Sequence, residues 1–196
     1  MAPAARIARE IAASGATAPT EVTDRSLKAG LKWATKIGAS VAAAGDVNGD
    51  GIADIAVVGP GGETWINVLH PSDYTGCWEL HLDPRDPDVL YTVAHQRQRY
   101  LTTIVTGGDE SSIYKTTDGG ETWQRLEGGL PQKMVGRIGM DISPVDPDVL
   151  FAVVDAKEEK ERGTYKSTDA GASWSRVSDY VTGYPFYCQK LVCDTE

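Results

Sequence analysis

The sequence predicts an all-β chain of the propeller type with about two blades complete, and three observations predict it. The phrase "KTTDGGETWQRL" (115–126) recurs as "KSTDAGASWSRV" (166–177). Upstream of each, "LDPRDPDVLYTVA" (82–94) recurs as "ISPVDPDVLFAVV" (142–154). The segments between are short and rich in Val, Ile, Tyr, Thr and Trp, with Gly and Pro as punctuation and no helical period beyond about residue 35. Repeats tens of residues long, with several strands each, are the signature of blades stacked about an axis.

The unit reads strand, xPxxDPDVL turn, strand, [ST]xDxGx[ST]W turn, strand. A third, degenerate copy is "GGETW" (61–65), identical to 119–123 but with Pro60 at the aspartate position. Trp65, Trp123 and Trp174 are spaced by 58 and 51 residues. At the end, "QKLVC" (189–193) falls where "RIGMDI" (137–142) stood, so a strand is expected there.

The Trp-ended phrase has a mechanical reading. Asp118 opens a tight turn in which its carboxylate accepts backbone N–H groups. Gly119 and Gly120 supply positive φ, and Thr122 adds a side-chain bond. Trp123 starts the next strand and buries its ring between blades. Asp169, Gly171, Ser173 and Trp174 repeat those roles. The aspartates read as scaffold, because no second carboxylate is paired with them as glycoside hydrolysis requires.

These residues resemble the Asp-box, or BNR repeat. Over 61–196 the pattern is similar to the sortilin-like and BNR-repeat glycosyl hydrolase propellers. The resemblance implies a multi-bladed propeller, many of whose relatives bind or scaffold, while others of xyloglucanase or sialidase type hydrolyse glycosides. It also implies a secreted or periplasmic setting, although no signal segment is visible. Neither a catalytic acid nor a sialidase arginine triad carries over onto this sequence. The expected function is therefore a non-catalytic surface for protein or glycan ligands. The alternative is a fragment of a BNR-repeat glycoside hydrolase. Two carboxylates facing one cleft at ~5–10 Å, one of raised pKa, would favour the enzyme. Asp83, Asp86, Asp88, Asp146 and Asp148 all in exposed turns would favour the binder.

A different motif spans "GDVNGDGIADIAVVGP" (45–60). Asp46, Asn48, Asp50 and Asp54 alternate on a loop that Gly51 lets turn sharply, a donor set suited to a hard cation. An EF-hand is disfavoured, since its twelfth position holds Val57. The stretch resembles the FG-GAP repeat of integrin-type propellers, which implies structural calcium held by those four side chains and the Ile52 carbonyl. A plain Asp/Asn/Gly turn without an ion is the other reading.

Three segments follow. Residues 1–30 read as linker with a short helix near 5–13, 31–60 as the FG-GAP-like repeat, and 61–196 as Asp-box blades. Both pattern edges are abrupt, so the chain is expected to be a portion of a larger propeller. The formal charge of −9 argues against a nucleic-acid partner, and no apolar run approaches the ~18 residues of a membrane span. Cys77, Cys188 and Cys193 suggest neither a disulfide framework nor a zinc site.

The stretch Asp88 to Asp118 is 30 residues long, whereas Asp148 to Asp169 is 21. The excess carries "AHQRQRY" (94–100) and reads first as a solvated loop; His95, Arg97 and Arg99 also suit an anionic or sugar ligand. "KEEKER" (157–162) reads as a charged hairpin tip. "VTGYPFY" (181–187) reads as inter-blade packing, with a sugar- or proline-binding face as the other reading. His70 and His81 have no partner pattern.

Overall fold

The computed structural model describes residues 40–45, 54–58, 65–185 and 188–194. The helix expected near 5–13 and the linker to residue 30 lie outside the described residues. Three antiparallel sheets follow one another along the chain. The first holds β1 (Ser40–Gly45), β2 (Asp54–Val58) and β3 (Trp65–Leu69) in that order. The second is built from β4 (Thr75–Leu82), β5 (Leu90–Arg99), β6 (Ile104–Thr106), β7 (Ser112–Thr116) and β8 (Gln124–Arg125). Its path is β4-β5-β7-β8, and β6 pairs with the far end of β5. The third runs β9 (Val135–Ile142), β10 (Leu150–Ala156), β11 (Gly163–Ser167), β12 (Ser175–Ser178). No α-helix occurs among the described residues; a 3₁₀ turn at Glu159–Glu161 sits between β10 and β11. The sheets are open meanders, a partial β-propeller.

The central strands of the blades are β5 and β10. Leu90–His95 is buried without a break, as is Ala152–Val154, because each strand is covered on both faces. Tyr91, Val93 and Ile113 of the second sheet meet Met140, Leu150 and Trp174 of the third in one core. A smaller cluster joins Val68 and Leu69 of β3 to Cys77, Leu80 and Trp123. Each such side chain contributes about 1.5–3 kcal/mol when fully buried, so blade faces, not isolated blades, hold the structure.

The repeated turns are built alike. Asp83 N–H donates to the Val89 carbonyl (3.0 Å) and Ser143 N–H to that of Val149 (2.9 Å). Asp86 Oδ1 accepts from Asp88 N–H and Asp146 Oδ1 from Asp148 N–H, at 3.0 and 3.1 Å. Each such turn is then tied to the Trp-ended turn of its own sheet, by Gly119 N–H to the Asp88 carbonyl and Ala170 N–H to that of Asp148, both 2.9 Å.

Three expectations are corrected. The stretch 94–100 is not a loop. Its first six residues continue β5 to Arg99, and β6 pairs with it from Arg97 to Arg99, so the extra residues satisfy their backbone groups as a hairpin extension. The segment 189–193 forms no strand: the Gln189 side chain donates to the Val153 carbonyl and Cys193 N–H to Asp141 Oδ2, so it is held largely by side-chain contacts. In 181–187, Tyr184 is 75% exposed, so its ring does not pack between blades; residues 186–187 lie outside the described residues.

Candidate functional site

The Trp-ended turns come first, because they set the frame. Thr116 Oγ1 accepts from Asp118 N–H (3.2 Å) and Gly120 N–H (2.9 Å), and donates to Asp118 Oδ1 (2.6 Å). Asp118 in turn accepts from Thr122 N–H (2.9 Å) and Thr122 Oγ1 (2.5 Å). Ser167, Asp169, Gly171 and Ser173 repeat the pattern, with the Gly171 N–H to Ser167 Oγ bond at 2.9 Å. Donors from Ser173 and Ser167 hold the Asp169 carboxyl down at about 2. Burial opposes, but bonds from Thr116 and Thr122 keep Asp118 below its ordinary value too. These aspartates are fixed anions inside turns. The φ values match: Gly119 and Gly120 at 71° and 89°, Ala170 and Gly171 at 54° and 89°. The tryptophans differ. Trp174 is buried in the shared core and its Nε1 donates to the Gly171 carbonyl (3.1 Å), whereas Trp123 is half-buried against the β3 side.

At β4, an edge strand of the second sheet, an aromatic–cationic surface forms. Trp78 on β4 is 40% exposed. The guanidinium carbon of Arg97 lies 5.8 Å from its ring centre, and that of Arg137 5.2 Å. The His95 ring stands 6.4 Å away, tilted 54°. Alternation along β5 puts residues 95 and 97 on one face, and β9 brings Arg137 from the next sheet. His95 is buried; burial, with Arg137 and Arg97 nearby, pushes its pKa to about 4 against the hydrogen bond its ring donates to the Thr106 carbonyl. It is neutral at pH 7. Arg99 stands at the exposed end of β5, away from Trp78. With two guanidiniums lying over the indole, the part of Trp78 left exposed adjoins a cationic, hydrogen-bond-donating surface. Neither Trp78 nor Arg137 stood out in the sequence, because only the sheet packing joins them to residues 95 and 97.

Carboxylates gather at two places. His81 lies between Glu79 (Nε2 to Oε2, 3.5 Å) and Asp141 (Nδ1 to Oδ1, 3.4 Å). Burial works against its charge, but the two carboxylates win and raise it to about 9. Asp141 is correspondingly lowered. The imidazolium clips β4 to β9, and Glu79 Oε2 also accepts from Met140 N–H (3.2 Å). Asp155 is the other place: burial raises its pKa, and its ion-pair partner is Arg162 at 3.0 Å. Of the turn aspartates, Asp83 is buried beneath Arg85, Asp86 and Asp146 are exposed, and Asp88 and Asp148 are half-exposed.

Residues 46–53, with Asp46, Asn48, Asp50 and Ile52, lie outside the described residues. Asp54 opens β2 and pairs with Gly45, the last residue of β1. No cluster of three or more His, Cys, Asp or Glu able to hold a metal occurs among the described residues, and no helix among them is long and apolar enough to cross a membrane.

Open antiparallel meanders, the second and third of which carry the same Asp-box turn and share one core, define a β-propeller repeat protein. The Sortilin-Vps10 model (sortilin, neurotensin receptor 3) matches residues 59–196, and the chain belongs to that family. The FG-GAP repeat model matches residues 37–66. A xyloglucanase of Acetivibrio thermocellus, Xgh74A, is 29% identical over 133 residues, which are 62% of this chain and 14% of that protein. The same enzyme from another strain of that organism is 28% identical over 133 residues. The chain thus spans about a seventh of the length of these relatives. Among solved structures, the GH74 enzyme of Niastella koreensis aligns at 22% identity and TM-score 0.46 over 66% of this chain and 19% of that one. The GH74 xyloglucanase of Xanthomonas campestris aligns at 17% and TM-score 0.47, over 71% and 21%.

Proposed function

We propose that this chain is a non-catalytic propeller segment that presents the Trp78–Arg97–Arg137 surface to a glycan ligand. One observation carries the reading: a large aromatic ring, 40% exposed, has two guanidiniums lying over it within 6 Å of its centre. Pyranose rings stack their C–H faces on such rings and offer hydroxyls to the flanking donors. The curated relatives are named xyloglucanases, which points the same way. A hydrolytic role fits less well. Glu79 and Asp141 are both engaged by one imidazole, His81, instead of facing an open cleft as a pair, and Asp155 faces Arg162 instead of a second carboxylate. The Asp118 and Asp169 turns, at the Leu90 and Leu150 ends of the central strands, are scaffold.

A structural calcium ion in the loop 46–54 belongs to the same proposal. Asp46, Asn48, Asp50 and Asp54 supply side-chain oxygens and Ile52 its carbonyl, a set suited to calcium, and the Gly45–Asp54 pairing brings the loop ends together.

The test is calorimetric titration of the full chain with xyloglucan oligosaccharides. Saturable binding is expected, weakened tenfold or more by Trp78→Ala. Unchanged affinity in that variant would refute the surface. Release of reducing ends from xyloglucan would move the assignment to the alternative, a glycoside hydrolase fragment, which the relatives' names favour.

A further inference from the structure

A cleft of about 270 Å³ opens where the far ends of the second and third sheets meet. Thr106 and Gly107 line it from the second sheet, and Met134, Gly136, Asp155 and Lys157 from the third. Its size lies just below the ~300–1,000 Å³ of ordinary small-molecule sites, room for one compact ring.

The cleft is built. A Cβ at Gly136 would stand 2.5 Å from Asp155 Oδ2, so glycine makes room for the carboxylate at the cleft wall. A Cβ at Gly107 would stand 2.7 Å from the Val135 carbonyl, so glycine also lets the two sheets close up beside the cleft. Met134 adopts φ 48°, a left-handed conformation that costs an L-residue about 1–2 kcal/mol. Two bonds enforce it, Met134 N–H to Asp109 Oδ1 (2.8 Å) and Lys157 N–H to the Met134 carbonyl (3.1 Å). Strain so held is a mark of functional sites.

The chemistry selects the ligand class. The Asp155 carboxylate meets Arg162 Nε through Oδ1 at 3.0 Å and takes the Ala156 backbone N–H; with about four lone pairs in all it retains acceptor capacity, and its Oδ2 lies on the Gly136 side. Lys157, exposed, offers donors. An anion meets Asp155, and a cation meets Lys157 and Arg162, so a neutral ligand rich in hydroxyls fits best: it donates to Oδ2 and accepts from the ammonium. Thr106 links the cleft to the aromatic surface, since its backbone also bonds His95.

We infer that this cleft is a second saccharide subsite that takes one neutral pyranose ring beside the Trp78 surface. The inference rests on the glycan reading above. It is tested by amide NMR of the full chain titrated with methyl β-glucoside and, separately, with a xyloglucan oligosaccharide. Saturable shifts at Gly107, Gly136 and Asp155 are expected with both. Gly136→Ala, which crowds Oδ2, and Asp155→Leu, which keeps the bulk and removes the acceptor, each weaken monosaccharide binding at least tenfold. Shifts confined to Trp78 and its neighbours would overturn the subsite and leave the glycan reading standing. No shift with either sugar would overturn both. Wild-type affinity in a folded Asp155→Leu would overturn the subsite alone.

Discussion

Arg85 of the second sheet reaches Asp148 of the third, Nη2 to Oδ1 at 2.7 Å, while the same nitrogen holds Asp83 Oδ2 at 2.8 Å. One guanidinium thus ties equivalent turns of successive blades. The two carboxylates are unlike: Asp83 is 4% exposed at its side chain, Asp148 51%. The Arg85 bonds overcome burial and hold Asp83 below its ordinary pKa. Arg85→Ala therefore leaves a buried carboxylate with only backbone N–H donors and no cation, whereas Asp148→Ala removes an exposed one. The melting temperature is expected to fall clearly for the first and only slightly for the second. Equal falls, in calorimetry at pH 7, would contradict this account.

Ser167 is buried, and its oxygen receives Gly171 N–H inside the second Asp-box. Ser167→Ala is expected to cost about 1–3 kcal/mol, the penalty for leaving a buried donor without an acceptor. Urea unfolding monitored by tryptophan fluorescence measures it. A change under about 0.5 kcal/mol, the usual range of a neutral surface substitution, would contradict the staple role.

The pH dependence has two limbs of opposite sign. His81, raised from 6.5 to about 9 in the fold, contributes stability that is complete below 6.5 and lost as pH rises through 9. His95, lowered from 6.5 to about 4, is penalised in the fold when protonated, so stability falls as pH drops from 6.5 toward 4. Melting temperature is expected to peak near pH 6.5. His81→Gln should flatten the alkaline limb, and His95→Gln the acid limb between 4 and 6.5. The lowered carboxyls of Asp83, Asp118, Asp141 and Asp169 act below 3.8, where their stabilisation is lost as they protonate.

Calcium should raise the melting temperature of the chain and a chelator should lower it again. Saturation at a hundredfold over Kd corresponds to about 2.7 kcal/mol. Asp50→Asn is expected to abolish most of that shift without altering the metal-free melt. A melt indifferent to calcium would remove the ion from the proposal.

The repeat and its turns were legible because their information is local. Asp, Gly and Thr at fixed offsets select turn conformations whatever surrounds them, and "DPDVL" and "TTDGGETW" name their own hydrogen bonds. The hairpin extension at 97–106 was not legible. Arg97–Arg99 pair with Thr106–Ile104 across a turn of Tyr100, Leu101, Thr102 and Thr103, and the polar run Gln96–Arg99 carries no strand signal of its own until that partner is in place. The missing strand at 189–193 has the opposite cause: its composition suits a strand, but backbone pairing depends on a partner that composition does not specify.

By itself the sequence determined the fold class, the order of the strands and the turn chemistry, because short-range sterics and hydrogen bonding fix each. Which side chains meet across blades was decided by the tertiary structure alone. Trp78 joins Arg137, and His81 joins Asp141, only when β4 and β9 lie against each other. That apposition follows from burying the Tyr91–Met140–Trp174 core, a non-directional force that fixes where sheets pack but leaves no periodic mark on the residues it brings together at the rim.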